Sequence, residues 1–207
     1  MRLKVKDFEN GEAVPFDNAF CVPDKENHAA PGKNISPHIQ WEDSPLGTKS
    51  YALILVDPTV PAVPDNVNQE GKTVPKDTPR MDFYHLVLVD IPADVNEILP
   101  GDLSNEVTPR GKQPGKMKYG VQGINSYTDW FSGDKDMEGD YGGYDGPCPP
   151  WNDEMMHKYY FRLYALDVES LDLDGSFTAE DAYKAMEGHV IDETEYWGTY
   201  TMNQDLL

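Results

Sequence analysis

Tyr51-Ala52-Leu53-Ile54-Leu55-Val56 is apolar at every position and is closed by Asp57-Pro58. A strand turns successive side chains to opposite faces, so a run without polar alternation has both faces buried and lies inside a sheet. Two other stretches make the same demand. Leu86-Val87-Leu88-Val89 sits within Phe83–Pro92, and Tyr159, Phe161, Leu163 and Ala165 fall at period two within His157–Asp167. Three interior strands in 207 residues, with 17 glycines and 17 prolines scattered between them, predict a mainly β domain rich in loops.

The remaining segments are subordinate to those strands. Residues 1–33 read as one or two edge strands and loops, and Ile35, Ile39 and Trp41 offer a short alternating segment to the core. Residues 59–80 form a long polar surface loop, and residues 100–145 are the least regular part of the chain. A helix is predicted near the C-terminus: Thr178-Ala179-Glu180-Asp181 resembles a capping box with Asp in place of Glu. Ala179, Ala182, Tyr183 and Met186 then share one face, and Gly188 suits the position after the last turn. A second piece, helical or extended, covers residues 190–200. Neither a repeat nor a linker is visible, so residues 1–207 read as a single domain.

Charge narrows the partners. With 37 acidic and 17 basic residues the formal charge is −20, which repels nucleic acid and anionic membrane surfaces. No stretch approaches the roughly eighteen apolar residues of a membrane helix, and the start of the chain lacks the apolar core of a signal peptide. Stable membrane insertion is therefore not expected, and a cytoplasmic location is. Cys21 and Cys148 lie far apart; two cysteines in a chain of this size do not define a disulfide scaffold, and two reduced thiols are expected.

Asp57 closes one interior strand, His85 opens the second, and His157 opens the third directly after Gly146-Pro147-Cys148-Pro149-Pro150, a loop stiffened by three prolines in five residues. If these strands are neighbours, a carboxylate and two imidazoles meet at one rim. Such a set suits a zinc-type metal site, or an anion site in which the acid orients a histidine. Taken separately, each is an ordinary strand-end residue. A calcium loop is a lesser candidate: Asp134, Asp136 and Glu138-Gly139 with Asp145 follow EF-hand spacing without the closing glutamate, and Ser170, Asp172, Asp174 and Asp181 nearly repeat it. His28, His38 and His189 read as surface or structural histidines.

Several motifs together resemble the phosphatidylethanolamine-binding protein family. Asn34-Ile35-Ser36-Pro37-His38-Ile39-Gln40-Trp41, Gly47–Leu53 and Asp57-Pro58 are similar to its first signature. His85–Pro92 resembles the next strand, and Gly146–Pro150 with His157-Lys158-Tyr159 and Tyr164–Asp167 resembles the second signature. Met186–Val190 and Gly198-Thr199-Tyr200 are similar to the ending of the bacterial and archaeal branch, the Raf kinase inhibitor-like proteins. The likeness runs in order from about residue 30 to 202.

The resemblance implies a large antiparallel sheet packed on a smaller one, a PEBP-like β-sandwich with C-terminal helices. It implies non-enzymatic binding of a small anionic or phosphorylated group, such as phosphate, a phospholipid head group or a phospho-residue, in a pocket at one end of the sheet. By that likeness Asp57, His85, Gly146, Cys148, Pro150, His157 and Tyr159 line the pocket. No catalytic residue, metal or other cofactor is implied. A protein partner (a kinase or protease inhibited by the chain, the pocket being vestigial) is the alternative function, and a homodimer is the implied assembly. A weak hydrolase using Cys148 as nucleophile is a third reading.

The chain departs from the family pattern at three places. Asp-Pro-Asp-x-Pro is here Asp57-Pro58-Thr59-Val60-Pro61, without the second acid. The segment Trp151–Met156 before His157 is off-pattern. Residues 127–141 read as an inserted aromatic and acidic loop placed to cover the pocket or change its selectivity.

Overall fold

The computed structural model describes residues 1–207. In chain order the strands are β1 (Arg2–Val5), β2 (Cys21–Asp24), β3 (His28–Pro31), β4 (Ile39–Glu42), β5 (Ser50–Pro61), β6 (Arg80–Pro92), β7 (Glu97–Ile98), β8 (Gly115–Met117), β9 (Gly120–Gln122), β10 (His157–Leu166) and β11 (Val190–Tyr200). Helix α1 (Tyr127–Trp130) is a single turn, and α2 (Ala179–Met186) has two. Six strands form one antiparallel sheet in the order β11-β10-β5-β6-β9-β8; three form a second, β1-β4-β7; and β2-β3 is a separate hairpin.

The three apolar runs are the adjacent strands β10, β5 and β6, and their alternation divides the core. Leu53, Leu55, Leu86, Leu88, Phe161 and Leu163 face the three-stranded sheet, where Leu3, Val5, Ile39, Trp41 and Ile98 meet them. Ala52, Ile54, Val87, Val89 and Leu166 face the other way, onto Phe177 and the Ala179–Ala182–Met186 stripe of α2. Both faces of the central strands are thus dry, as a continuous apolar run requires.

The C-terminal end corrects one expectation. Only α2 is a helix of any length there; residues 190–200 are extended and form β11, paired with β10 from Val190↔Leu166 to Tyr200↔His157. The capping box is present: Thr178 Oγ1 accepts from the Asp181 amide at 3.3 Å, and Asp181 Oδ2 accepts from the Thr178 amide at 2.9 Å. Gly188, at φ +81°, takes the left-handed position that ends the helix.

A bulge in β6 shapes the end of the large sheet. Leu55 pairs with Leu86, but Val56 pairs with Tyr84, leaving His85 as the extra residue. Leu86 packs in the core toward the small sheet and Tyr84 packs toward α2. The inserted His85 therefore shares the face of Leu86, which regular alternation would have denied it. It meets Asp57 of β5 and Tyr159 of β10 there.

Candidate ligand-binding site

Asp57, His85 and Tyr159 lie at the floor of a cavity of about 450 Å³ at the end of the large sheet. Such a volume suits a small ligand. Cys148, Pro149 and Pro150 form one wall, α1 with Phe131 forms another, and Val60, Pro61 and Met81 stand at the mouth.

The wall loop is held from behind. The Gly146 amide donates to Asn34 Oδ1 at 2.8 Å, and the Tyr127 hydroxyl donates to the Gly146 carbonyl at 2.8 Å. The Phe20 and Cys21 amides both donate to the Pro147 carbonyl, at 2.9 and 3.1 Å. A side chain on Gly146 would drive its Cβ to 1.9 Å from the Asn18 carbonyl oxygen, so only glycine fits there. Asn34 also donates to Asp145 Oδ1 at 2.8 Å, and Asp145 is closed in by Lys112 at 2.7 Å and Asn125 at 2.9 Å. Burial pushes the Asp145 carboxyl up, against the pull of these three partners.

His85 is fixed by that loop. Its Nδ1 lies 2.8 Å from the Asp145 carbonyl, which can only accept, so Nδ1 carries the hydrogen. Burial pulls its pKa down to about 4, against the Asp57 charge and the bond to the Asp145 carbonyl. The neutral ring then presents Nε2 as a lone pair, and that atom is buried with no partner in the protein. On the neighbouring wall the Cys148 amide makes no hydrogen bond within the chain.

Asp57 is held equally firmly. Oδ1 accepts from the amide of Thr59 at 2.8 Å and from its hydroxyl, and Oδ2 accepts from His157 Nδ1 at 2.6 Å. His157 Nε2 lies 3.1 Å from Asp153 Oδ2, and Arg80 clasps Asp153 with two donors, at 2.5 and 3.1 Å. Burial by itself pushes the His157 pKa down. The bonds to Asp153 and Asp57 and their charges outweigh it and lift the value to about 9. Asp153 moves the opposite way: burial raises its pKa, but His157, Arg80 and the Met155 amide together bring it below the ordinary value. The Tyr159 hydroxyl is raised well above the usual phenol range by burial, then by the Asp57 charge beside it.

This geometry corrects several expectations. The three strand-end groups do converge, but His157 does not face the cavity: both its nitrogens are committed to carboxylates. Gly146 likewise lies behind the wall, with its amide spent on Asn34. The two cysteines are not free thiols; Cys21 and Cys148 form a disulfide that ties β2 to the wall, which also removes Cys148 as a nucleophile. Persistent disulfides are features of oxidising compartments and of hyperthermophile interiors, so the cysteines lend no support to an ordinary reducing cytoplasm.

The calcium loop is not formed. Asp145 is bound to Lys112 and two asparagines, while Asp134 Oδ1 accepts from the Asp136 and Met137 amides in a tight turn. Asp181, from the second spacing, is spent in the helix cap. No group of three or more His, Cys, Asp or Glu is arranged to hold a metal ion.

Four residues that brace the site are given no role by the sequence. Thr59 stands where the pattern has its second acid and ties Asp57 in a two-residue turn, which the Asp-Pro-Thr spacing itself could have signalled. Asp153 lies in the off-pattern segment, Arg80 is 73 residues from it, and Asn34 is 111 residues from Asp145; no local periodicity links them.

A polar floor under an apolar mouth, at the end of a two-sheet β-sandwich, gives the chain a cavity of small-ligand size. The family description "Phosphatidylethanolamine-binding protein" matches residues 4–201, and the chain belongs to that family. A UPF0098 protein of Aquifex aeolicus is 33% identical over 202 residues, 97% of this chain and 88% of the relative. One from Methanothermobacter thermautotrophicus is 34% identical, over 89% of this chain and 93% of the relative. Among solved structures, a phosphatidylethanolamine-binding protein homologue of Chlamydia trachomatis aligns over 96% of this chain and 95% of its own, at TM-score 0.64 and 27% identity. YbcL of Escherichia coli, described as a member of the mammalian PEBP family, shares the fold at TM-score 0.67 and 22% identity, over 97% of each chain. No helix is long and apolar enough to cross a membrane.

Proposed function

We propose that the chain binds, without chemical turnover, a small anionic or phosphorylated group on the floor formed by Asp57, His85 and Tyr159 beside Cys148. The observation that carries this reading is the unpartnered Nε2 of the buried His85. A lone pair there and a free Cys148 amide on the wall together suit a group that both donates and accepts. A singly protonated phosphoryl group does both, giving its hydroxyl to Nε2 and an anionic oxygen to the amide. A dianion has no hydrogen to give, and it meets an imidazole whose pKa of about 4 resists protonation. Asp57 repels such a ligand less than a bare carboxylate would, because its two oxygens are already taken by His157 and Thr59.

A ligand that binds only the folded state stabilises it by about 2.7 kcal/mol at one hundred times its dissociation constant. Thermal unfolding in rising inorganic phosphate should therefore move to higher temperature, with the shift abolished in His85→Ala. An unmoved wild-type midpoint would overturn the assignment.

A further inference from the structure

A phosphoryl group cannot fill this cavity. Its five heavy atoms, at roughly 30 Å³ for each water-sized group, occupy about a third of the 450 Å³. What surrounds the remaining space is apolar. Thirteen of the twenty lining residues are hydrophobic, none is Lys or Arg, and Asp57 is the single carboxylate. A second phosphate would thus meet no counter-charge, which leaves room for one phosphoryl group and something uncharged.

The outer wall is built and exposed at once. Tyr127 stacks on Phe20 at 4.5 Å and on Phe131 at 5.8 Å, and its hydroxyl and amide are pinned to Gly146 and Asn125. Beside this fixed platform Trp130 is 52% exposed and Met81 is 50% exposed, among the few large apolar side chains so open to water. The Trp130 ring has no aromatic partner, whereas its neighbours Tyr127 and Phe131 stack on each other. Large apolar groups left open around a cavity mark the surface its occupant covers.

We propose that the cavity selects a phosphomonoester of an apolar group, with the phosphoryl on the floor and the substituent against Trp130, Phe131 and Met81. Trp130 and Met81 are then specificity-determining residues, supplied by α1 and the start of β6. The proposal rests on the anion-binding reading of the floor. It excludes polyphosphates and sugar phosphates as preferred ligands, because the mouth offers neither cations nor a set of polar partners.

Calorimetry with the intact chain tests this using inorganic phosphate, glycerol phosphate, phenyl phosphate and hexyl phosphate. Each buried methylene strengthens binding by about fourfold, so the phenyl and hexyl esters should bind at least tenfold tighter than glycerol phosphate. In Trp130→Ser and Met81→Ser, both at half-exposed positions where folding is spared, that ratio should fall several-fold. Equal affinities for the apolar and polar esters, or an unchanged ratio in both variants, would overturn the proposal. If the apolar esters keep their advantage while inorganic phosphate gives no heat and His85→Ala changes nothing, the floor assignment fails and the apolar mouth stands. Silence from all four compounds overturns both.

Discussion

Two histidines sit on the same end of the same sheet, one strand apart from each other across β5, and the protein treats them oppositely. His85 is given one backbone carbonyl and an apolar surround, and is held neutral with an empty nitrogen. His157 is given two carboxylates and is held charged with none. Burial pushes both pKa values down; only the number of acidic partners decides which way each finally goes, to about 4 and about 9. The charged one is structural support and the neutral one is left available. Asp57 joins them, since it borders the cavity on one side and accepts from His157 on the other.

The largest expected effect comes from breaking the charged side. Arg80, Asp153, His157 and Asp57 alternate in sign, so the network is internally balanced. Removing one buried partner leaves its neighbours unpaired, which costs about 3–5 kcal/mol. Asp153→Ala should lower the unfolding free energy measured in urea by that much and bring the His157 pKa down. A loss below 1 kcal/mol would show that water replaces Asp153 and that the two histidines differ less than their contacts suggest.

The wall beside His85 comes next. The disulfide closes a loop with a sequence separation of 127, and removing a native cross-link of this kind lowers stability by about 2–4 kcal/mol. Cys21→Ser with Cys148→Ser should show that loss in denaturant. It should also weaken phosphate binding at the His85 side, while the alkaline titration of His157 stays as in the wild type. If phosphate affinity is unchanged, proline stiffness and the Asn34–Gly146 bond alone hold the wall.

The difference between the histidines also explains what could be read from the chain. The three interior strands follow from apolar runs, a property of neighbouring residues, and α2 follows from its cap and stripe. Family likeness then placed Asp57, His85 and Tyr159 on the cavity. It misplaced His157, because that residue's role is set by Asp153, which lies four residues earlier in an irregular loop and reaches it only through the fold. The same holds for Cys21 and Cys148, and for the β6 bulge that turns His85 inward. Each depends on partners that no periodicity connects.

The alkaline arm of stability isolates His157. A group whose pKa rises on folding holds its proton more tightly in the folded chain. Its contribution is complete below the unfolded value of about 6.5 and is lost as the pH climbs through about 9. Between those limits the loss is roughly 2–3 kcal/mol. Chemical denaturation from pH 6.5 to 9.5 should record this decline, and His157→Gln should flatten it at lower overall stability. A wild type equally stable at both ends would mean that His157 is not charged in the fold.

His85 gives the smallest effect and the opposite slope. Its pKa falls on folding, so the unfolded chain takes up the proton first, and stability declines as the pH drops below about 6.5 toward about 4. By pH 5 this amounts to roughly 1–2 kcal/mol, in addition to whatever the carboxylates contribute. His85→Gln removes the titrating ring, so the difference in stability between variant and wild type should narrow steadily from pH 7 to pH 5. Saturating phosphate should offset part of the wild-type decline over the same range, because the singly protonated form that donates to the neutral Nε2 grows more abundant as the pH falls and binds only the folded chain. A difference that is flat with pH, with and without phosphate, would place His85 in contact with solvent. The contrast with His157 would then rest on hydrogen bonding alone, without opposite charge states.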